Sequence, residues 1–391
     1  MHGSAGAPGS VRMTAPRTHL VVLAAGGTGG HVFPAEALAA ELAGRGVRLA
    51  LVTDRRGGIL GGDLGAVETH RIRAGAVAGK SIVARLRSTP ELAWGTMQAR
   101  ALLKRLAPDA VIGFGGYASV PTMLAASFAG LRTAIHEQNA VLGRANRLLA
   151  RRVGRIATSF EVAEGLPQDA AAKVTRTGMP VRPGIAAMGG RPYPTLAGDG
   201  PVRLFVFGGS QGARVFSDVV PEAVGRLAGT WRRRLRISQQ CRPETLDDTR
   251  GAYGKLGVEA ELSTFFADVP ERLAAAHLII ARAGASTVAE CTAVGRPAVF
   301  VPYPFAIDDH QTVNARCVDE AGAGWVMPED GFTPEALAAR LESLFGLPAV
   351  LERAAASARA AGLDDAAARL ADLVFQLLPS NGEPETRREA A

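Results

Sequence analysis

The chain has 391 residues, a formal net charge of +7 and a sequence pI of about 9.8. Hydrophobic residues make up 47% of the chain and charged residues 21%, which excludes extensive disorder and predicts two domains of ordinary size. The positive charge favours anionic partners, but aromatic residues are only 5% and no basic run is interleaved with them, so no nucleic acid is expected to bind.

Cysteine usage and apolar run lengths bear on location. The three cysteines, at 241, 291 and 317, have no paired or metal-binding spacing, which is typical of a reducing compartment. The apolar run after Arg12 and Arg17 is too short for a signal peptide, and no stretch approaches the roughly 20 apolar residues that span a bilayer. We therefore expect a cytoplasmic protein, or one that rests on a membrane without crossing it.

The first half of the chain predicts a doubly wound sheet. Residues 1–17 are small, polar and rich in proline and glycine, and are interpreted as a flexible tail. From 18 to 182, short β-rich runs alternate with Ala/Leu-rich helical stretches, which is typical of a parallel sheet with helices on both faces. Strands are expected near 20–25, 48–53, 110–113, 132–136 and 155–158, and helices near 34–43, 91–106, 120–129 and 143–151.

The second half repeats this pattern after an interruption. Residues 183–201 contain four prolines and five glycines and are interpreted as a linker. A second domain is expected over 202–359, followed by a C-terminal helix over 360–378 that packs back on the N-terminal domain, and a flexible tail over 379–391. Its strands are expected near 203–207, 235–240, 258–264, 277–282 and 297–302. The predicted fold is α/β, with two Rossmann-like doubly wound parallel-sheet domains facing one cleft.

Four glycine-rich turns each follow a predicted strand and open a helix. They are AGGTGGHVFP (25–34), GFGGYASVP (113–121), FGGSQGAR (207–214) and ARAGASTVAE (281–290). Any one of them could be no more than a tight turn, but four in a basic protein favour a diphosphate bound at helix N-termini. Pro34 suits the first position of the first helix.

Other nucleotide sites fit less well. A dinucleotide fingerprint would need a third glycine where Val32 stands, although Asp54 keeps that alternative open. The chain has no Walker lysine loop and no Asp-x-Asp pair, which disfavours ATP hydrolysis and a metal-held nucleotide diphosphate.

The segments GGTGGHVFP, GFGGYASVP, HEQN (136–139), GGSQGAR and GASTVAE, in this order and spacing, resemble one family. It is the bacterial undecaprenyl-diphospho-muramoylpentapeptide β-N-acetylglucosaminyltransferases, and the resemblance covers about residues 18–378. It implies a two-domain GT-B glycosyltransferase of peptidoglycan synthesis that moves GlcNAc from UDP-GlcNAc to the 4-hydroxyl of the muramoyl sugar of lipid I, with inversion. The products are lipid II and UDP.

The resemblance also implies surroundings and partners. The expected location is the cytoplasmic face of the bacterial inner membrane, held peripherally, and the expected partners are UDP-GlcNAc, undecaprenyl-linked lipid I, an anionic membrane surface and other cell-wall synthesis proteins. No cofactor and no divalent metal is implied. The alternatives are another GT-B enzyme, such as a glycolipid glycosyltransferase or a UDP-GlcNAc epimerase, and a non-catalytic UDP-sugar-binding module.

The N-terminal domain is expected to hold the acceptor and the catalytic groups. The acceptor diphosphate is assigned by resemblance to Gly27, Gly29, Gly30, His31, Gly115, Gly116 and Tyr117. An imidazole with a pKa of about 6.5 suits a general base, so His31 is the first candidate for that role. His31 could instead only hydrogen-bond the turn or a phosphate, and Glu137 could orient it, replace it, or be a structural partner.

The donor residues come from both halves of the chain. By resemblance, UDP-GlcNAc contacts Thr28, Gly29, Gly30, Asn139, Arg182, Ser210, Phe266, Ser286, Thr287, Glu290, His310 and Gln311. Arg182 would offset charge on departing UDP. Met179 stands where the family usually has asparagine. Glu290 has two interpretations, a ribose ligand or the last residue of a capping box that begins at Thr287.

A basic and apolar stretch over 80–105 suggests a membrane contact. Its proposed patch comprises Lys80, Ile82, Val83, Arg85, Leu86, Arg87 and Trp94. Apolar residues ringed by cations suit an anionic membrane surface. The alternative is an ordinary amphipathic helix packed on the sheet.

Overall fold

The computed structural model describes residues 18–26, 29–54, 67–74, 82–161, 163–196, 198–209 and 212–379. In these ranges the chain forms two all-parallel β-sheets, each flanked by helices. We call the part built on the first sheet the N-terminal lobe and the part built on the second the C-terminal lobe. The predicted fold class is confirmed.

The sheet of the N-terminal lobe has seven strands within the described residues, in the order β3-β2-β1-β4-β5-β6-β7. Its strands are β1 (Leu20–Ala24), β2 (Arg48–Thr53), β3 (Glu68–Arg71), β4 (Ala110–Gly113), β5 (Arg132–Glu137), β6 (Arg155–Thr158) and β7 (Val174–Arg176). Its helices are α1 (Gly29–Gly44), α2 (Ile82–Leu106), α3 (Ser119–Phe128) and α4 (Arg144–Leu149).

Both faces of this sheet are covered by apolar side chains, as its buried strands require. On one face, Leu38 of α1 packs with Leu370 and Val374 of the last helix of the chain, α14 (Ala366–Leu377). On the other face, Leu103 of α2 packs with Met123 of α3. The chain therefore returns from the C-terminal lobe to complete the core of the N-terminal lobe.

The sheet of the C-terminal lobe has six strands within the described residues, in the order β10-β9-β8-β11-β12-β13. They are β8 (Val202–Phe207), β9 (Leu235–Gln240), β10 (Glu259–Ser263), β11 (Leu278–Ala281), β12 (Ala298–Phe300) and β13 (Gly324–Val326). The remaining helices are α5 (Pro183–Ala186), α6 (Arg214–Arg226), α7 (Gly229–Arg234), α8 (Leu246–Leu256), α9 (Val269–Ala275), α10 (Ala285–Val294), α11 (His310–Glu320), α12 (Pro334–Gly346) and α13 (Pro348–Ala361).

The described part of the segment expected to be a linker packs on the C-terminal lobe. Ile185 of α5 and Leu196 are buried in its two apolar clusters. Arg296, almost fully buried, donates hydrogen bonds to the carbonyls of Ala274 at 2.6 Å and Pro192 at 2.9 Å. Proline and glycine content thus indicated irregular backbone here, but not its burial.

Two helices begin earlier than the sequence indicated. Helix α1 begins at Gly29, so Pro34 lies inside it and the expectation that Pro34 opens the helix is wrong. Helix α2 begins at Ile82 and contains Pro90, which the sequence pattern favours as a boundary. Glycine and proline are poor helix formers, so the sequence pattern placed both helix starts too late.

The strand orders place the four glycine-rich turns. In the N-terminal lobe the order reverses between β1 and β4, and in the C-terminal lobe between β8 and β11. Ligands of open α/β sheets bind in the crevice beyond such neighbouring strand ends. The turns after these four strands therefore form two crevices, one in each lobe.

Candidate active site

The two turns of the N-terminal crevice touch each other. A Cβ added to Gly26 would lie 3.1 Å from the Cα of Gly116, so a side chain at Gly26 would press on the neighbouring turn. Gly115 and Gly116 have φ values of +83° and +73°, in the left-handed region that favours glycine. The two turns therefore pack backbone against backbone.

His31 projects into this crevice from the first turn of α1. A Cβ on Gly115 would lie 3.3 Å from its Cε1, and its Nδ1 lies 3.0 Å from Oε1 of Gln138. Burial lowers the pKa of His31 below its usual value, against opposing effects of Gln138, the Glu137 charge and the Phe114 carbonyl. The imidazole is therefore neutral at neutral pH, as a general base must be.

Glu137 is occupied by its own loop. Its Oε1 accepts from the backbone N–H of Asn139 at 3.0 Å, and its Oε2 accepts from Gly143 N–H at 2.8 Å and Asn146 Nδ2 at 2.9 Å. The side chain is almost fully buried. This geometry favours the interpretation of Glu137 as a structural partner that shapes the loop beside His31.

Asn139, one of the predicted donor residues, is joined to the C-terminal lobe. Asn314, fully buried on α11, donates to Asn139 Oδ1 at 3.1 Å and to the Ala283 carbonyl at 3.0 Å, while its Oδ1 accepts from Ala140 N–H at 2.8 Å. Gln311 Oε1 accepts from Ala283 N–H at 3.2 Å. One amide thus connects the HEQN loop to the fourth glycine-rich turn.

Glu290 does not form a capping box. Helix α10 begins at Ala285 with Gly284 as its N-cap, so Thr287 lies inside the helix and cannot be the capping residue. The Oε1 of Glu290 instead accepts from Arg182 Nη2 at 3.0 Å and Nε at 3.3 Å. Burial raises the pKa of Glu290, and the Arg182 charge opposes this shift.

This ion pair faces the N-terminal lobe. The Arg182 guanidinium lies 5.3 Å from the ring centroid of Phe33, which is on α1 two residues after His31. Arg182, which extends from the chain that crosses between the lobes, therefore contacts α1 of the N-terminal lobe while it pairs with Glu290 of the C-terminal lobe.

The start of α10 offers groups suited to an anion. Ser286 has a buried Oγ with no hydrogen-bond partner among the described residues, and Thr287 beside it is buried. The first N–H groups of a helix also lack intrahelical acceptors. An unpaired buried hydroxyl at a helix N-terminus indicates a ligand that completes it.

Three other predicted site residues have described geometry. Phe266 is buried in the core of the C-terminal lobe, with its ring 5.9 Å from that of Phe205. His310 begins α11 and donates through Nδ1 to the Ile307 carbonyl at 2.7 Å. Tyr117 follows the left-handed glycines and is half-buried.

Some of the predicted residues have no described geometry. Gly27, Thr28, Ser210 and Lys80 lie outside the described residues, while Gly29 and Gly30 form the start of α1. Helix α2 is described from Ile82, but its side chains only from Pro90, so those of Ile82, Val83, Arg85, Leu86 and Arg87 lie outside too. Trp94 is described and is 53% exposed.

Sequence reasoning missed two polar residues of the site. Gln138 stands between Glu137 and Asn139 in HEQN, and only its alternation with His136 along the strand could have indicated a shared face. Asn314 has no signal beyond its position on the predicted helix after Gln311. Both act through contacts that are distant in sequence.

Comparisons with known proteins give one family over most of the chain. The N-terminal domain of glycosyltransferase family 28 matches residues 21–158, and the C-terminal domain of that family matches residues 203–370. The UDP-N-acetylglucosamine--N-acetylmuramyl-(pentapeptide) pyrophosphoryl-undecaprenol N-acetylglucosamine transferase of Paramagnetospirillum magneticum is 59% identical over 361 residues, 92% of this chain and 97% of that protein. The protein of the same name from Rhodospirillum rubrum is 56% identical over 374 residues, 96% and 95% of the two chains.

Solved structures agree with this assignment. MurG of Acinetobacter baumannii has a TM-score of 0.76 and 30% identity, over 92% of this chain and 100% of that one. A UDP-GlcNAc 2-epimerase from Neisseria meningitidis, bound to UDP-GlcNAc, has a TM-score of 0.61 at 12% identity, over 92% and 100%. The second similarity is one of fold alone.

Proposed function

The chain belongs to glycosyltransferase family 28, and we propose that it transfers GlcNAc from UDP-GlcNAc to the 4-hydroxyl of the muramoyl sugar of lipid I. The products are lipid II and UDP, and the anomeric centre inverts. The observation that carries the proposal is the pairing of Arg182 with Glu290 against α1, the helix whose first turn presents a neutral, half-buried His31, in a chain 59% identical to a transferase of that name.

The donor binds at the C-terminal crevice. Two features support this: the unpaired Ser286 hydroxyl at the start of α10, and the nearby positive charge of Arg182. The diphosphate accepts hydrogen bonds from the helix N-terminus, and Glu290 uses its Oε2 to accept from the ribose. As the sugar–phosphate bond breaks, Arg182 stabilises the charge that gathers on UDP.

The acceptor binds at the N-terminal crevice, with its diphosphate on the turns of Gly30 and Gly115. His31 accepts the proton of the 4-hydroxyl while that oxygen attacks the anomeric carbon from the side opposite UDP. The bond from the anomeric carbon to the diphosphate oxygen breaks, and its electron pair leaves with UDP. The low pKa of His31 keeps the imidazole neutral before each turnover.

We propose that this reaction needs no resident metal ion. The described residues contain no group of three or more His, Cys, Asp or Glu side chains arranged to hold one. Backbone N–H groups and the Arg182 guanidinium offer the positive potential that a diphosphate requires.

The protein works at the cytoplasmic face of the inner membrane, held peripherally. On the solvent side of α2, Trp94 and Met97 are 53% and 65% exposed, beside the exposed cations Arg100, Lys104 and Arg105. Such a surface suits anionic lipid headgroups. No helix in the described ranges combines the length and apolar composition needed to cross a bilayer.

A product assay tests the proposal. A lipid I analogue in zwitterionic or anionic vesicles is incubated with UDP-GlcNAc, and UDP release and the mass of the lipid product are followed. We expect lipid II, formed faster on the anionic vesicles. His31→Ala should lower kcat by about 10²- to 10⁴-fold, because the base is lost, and leave the Kd for UDP-GlcNAc unchanged.

His70→Ala is the matched control, since His70 lies on the edge strand β3 and should keep full turnover. Full turnover in His31→Ala would contradict the base assignment. Conversion of UDP-GlcNAc without acceptor would identify an epimerase, and tight UDP-GlcNAc binding with no UDP release would leave only a binding module. Either result overturns the proposed function.

A further inference from the structure

A chain of hydrogen bonds runs from His31 to the place where the polypeptide crosses between the lobes. His31 Nδ1 lies 3.0 Å from Gln138 Oε1, Gln138 Nε2 lies 3.1 Å from His136 Nδ1, and His136 Nε2 lies 2.9 Å from the Gly178 carbonyl. His136 and Gln138 are both almost fully buried. No water is needed to complete the path.

The Gly178 carbonyl, at the far end of this path, determines which ring nitrogen of His136 carries the hydrogen. A carbonyl oxygen only accepts, so His136 Nε2 carries the hydrogen and Nδ1 presents a lone pair. Burial lowers the pKa of His136 to about 4, which keeps this single-proton form at neutral pH. His136 therefore accepts from Gln138 and cannot donate to it.

The amide of Gln138 has one permitted orientation. Its Nε2 lies 2.9 Å from the Phe114 carbonyl and 3.0 Å from the His136 carbonyl, in addition to His136 Nδ1. All three are acceptors, so an amide turned by 180° would set its oxygen against them. The Oε1 of Gln138 must therefore face His31.

We infer that Gln138 and His136 hold His31 as the Nδ1–H tautomer, which leaves Nε2 as the atom that accepts the proton of the sugar hydroxyl. This inference rests on the proposed role of His31 as the base. Gln138 is then a positioning residue, because it acts on the reaction only through the imidazole ring. An isolated imidazole samples both tautomers, so fixing one raises the fraction of enzyme ready to react.

Gly178 anchors the path at the crossover. Its φ is +82°, and a Cβ there would lie 2.9 Å from Leu363 Cδ1 and 3.0 Å from the Cβ of Ala366. Gly178 belongs to the first crossing between the lobes, and Leu363 to the return that leads into α14. The hydrogen bonds that fix the His31 tautomer thus begin at Gly178, where the two segments that cross between the lobes are in contact.

The first test is the tautomer itself. Selective ¹⁵N-histidine labelling and long-range ¹H–¹⁵N correlation report which ring nitrogen carries the hydrogen, and the His31 signals are assigned by their loss in His31→Ala. We expect Nδ1–H for His31 and Nε2–H for His136 at pH 7.5. An Nε2–H or doubly protonated His31 would overturn the inference.

The second test removes the acceptor. Gln138→Leu should lower kcat by about 10- to 100-fold, leave the KM for UDP-GlcNAc within about twofold, and convert the His31 signals to a mixture of tautomers. The matched control is Gln239→Leu, which replaces a fully buried glutamine of β9 in the other lobe and should change neither kcat nor the His31 signals. A pure Nδ1–H His31 in Gln138→Leu contradicts the inference.

The third test keeps the carbonyl oxygen and does not depend on how Gln138→Leu folds. In Gln138→Glu a second oxygen replaces Nε2 opposite the Phe114 carbonyl, the His136 carbonyl and His136 Nδ1, so the buried carboxyl stays protonated and donates to them. Its carbonyl oxygen still accepts from His31 Nδ1–H, so the variant should keep the Nδ1–H signature and recover most of the turnover that Gln138→Leu loses. A mixture of His31 tautomers in Gln138→Glu would overturn the inference.

Failure of the proposed function is recognised separately. A wild-type protein that makes no lipid II but shows the Nδ1–H signature refutes the proposed reaction alone. Normal lipid II synthesis with the opposite tautomer refutes only the role of Gln138.

Discussion

The two double-glycine turns, AGGTGG at the start of the N-terminal lobe and FGGSQG at the start of the C-terminal lobe, look alike in sequence but fold differently. In the first, the tight contact is with the neighbouring turn, where a Cβ on Gly26 would lie 3.1 Å from the Cα of Gly116. In the second it is internal, because a Cβ on Gly208 would lie 2.3 Å from the backbone nitrogen of Ala213.

The helices that follow explain the difference. Helix α1 begins at Gly29, so His31 is presented from its first turn, whereas α6 begins only at Arg214, after the chain has folded back on itself. A hydrogen bond from Gly212 N–H to the Gly209 carbonyl closes that loop. Within the described residues, the N-terminal turn thus presents the His31 side chain, and the C-terminal turn presents the left-handed backbone of Gly209 and Gly212. We expect damage to the first to lower turnover and damage to the second to weaken donor binding.

Among variants that test the difference between the two turns, we expect Gly208→Ala to have the largest effect, on donor affinity. No side-chain rotation can relieve a 2.3 Å contact with backbone, so the turn must shift. We expect the Kd for UDP-GlcNAc, measured by titration calorimetry, to rise at least about tenfold, which is ~1.4 kcal/mol.

The control is Gly190→Ala, an exposed glycine with no atom within 4 Å of the added Cβ, which should bind the donor normally. Gly26→Ala should retain donor affinity and lose turnover, because its added methyl group presses on the turn beside His31. Equal losses of donor affinity in Gly208→Ala and Gly26→Ala would refute the division of labour between the turns.

A smaller effect is expected where the two lobes meet. Asn314→Ala removes the hydrogen-bond partner of Ala140 N–H, Asn139 Oδ1 and the Ala283 carbonyl. We expect this loss to lower the free energy of unfolding by about 1–3 kcal/mol. Asn314 contacts the loop beside His31 and the fourth glycine-rich turn, where we propose that the acceptor and the donor bind. We therefore expect kcat to fall and the KM for UDP-GlcNAc to rise together in steady-state kinetics.

Arg316→Ala lies on the same helix with an exposed side chain and should behave as wild type. A fall in kcat without any change in KM for Asn314→Ala would mean that the amide serves only the acceptor side. The contact between the lobes would then affect turnover without affecting donor binding, as we expect for the N-terminal turn.

Much of this fold could be predicted from the sequence, for identifiable reasons. Buried parallel strands are continuous apolar runs, so β1, β4 and β11 could be located, and the turns after them contain the glycines that mark the crevices. The strands β3, β7 and β13 were missed, because three or four residues are too few to show a periodicity and these segments are held by neighbouring strands.

The site was less accessible to sequence reasoning. The capping-box interpretation of Glu290 failed because local spacing cannot reveal a partner such as Arg182, which is 108 residues away in sequence. Gln138 could not be assigned a role either, since its orientation depends on the Phe114 carbonyl and on His136. Hydrogen-bond direction is a tertiary property, and composition and periodicity carry no record of it.

The ion pair between Arg144 and Asp308 also joins the two lobes, but it is more exposed than Asn314. Of the variants considered, we expect its removal to change catalysis least. Arg144 Nη2 lies 3.0 Å from Asp308 Oδ1 across the cleft, with Arg144 58% exposed, so we expect Arg144→Ala to change kcat/KM by at most about threefold, with the difference disappearing in 0.5 M salt. Asp308 also has a φ of +53°, so Asp308→Gly removes the same charge and relieves left-handed backbone, and it should raise the thermal midpoint where Asp308→Ala does not. A loss above about tenfold for Arg144→Ala that persists in high salt would show that this ion pair, rather than the buried amide of Asn314, couples the lobes. Lobe contact would then be set by surface charge, and both crevices would depend on ionic strength.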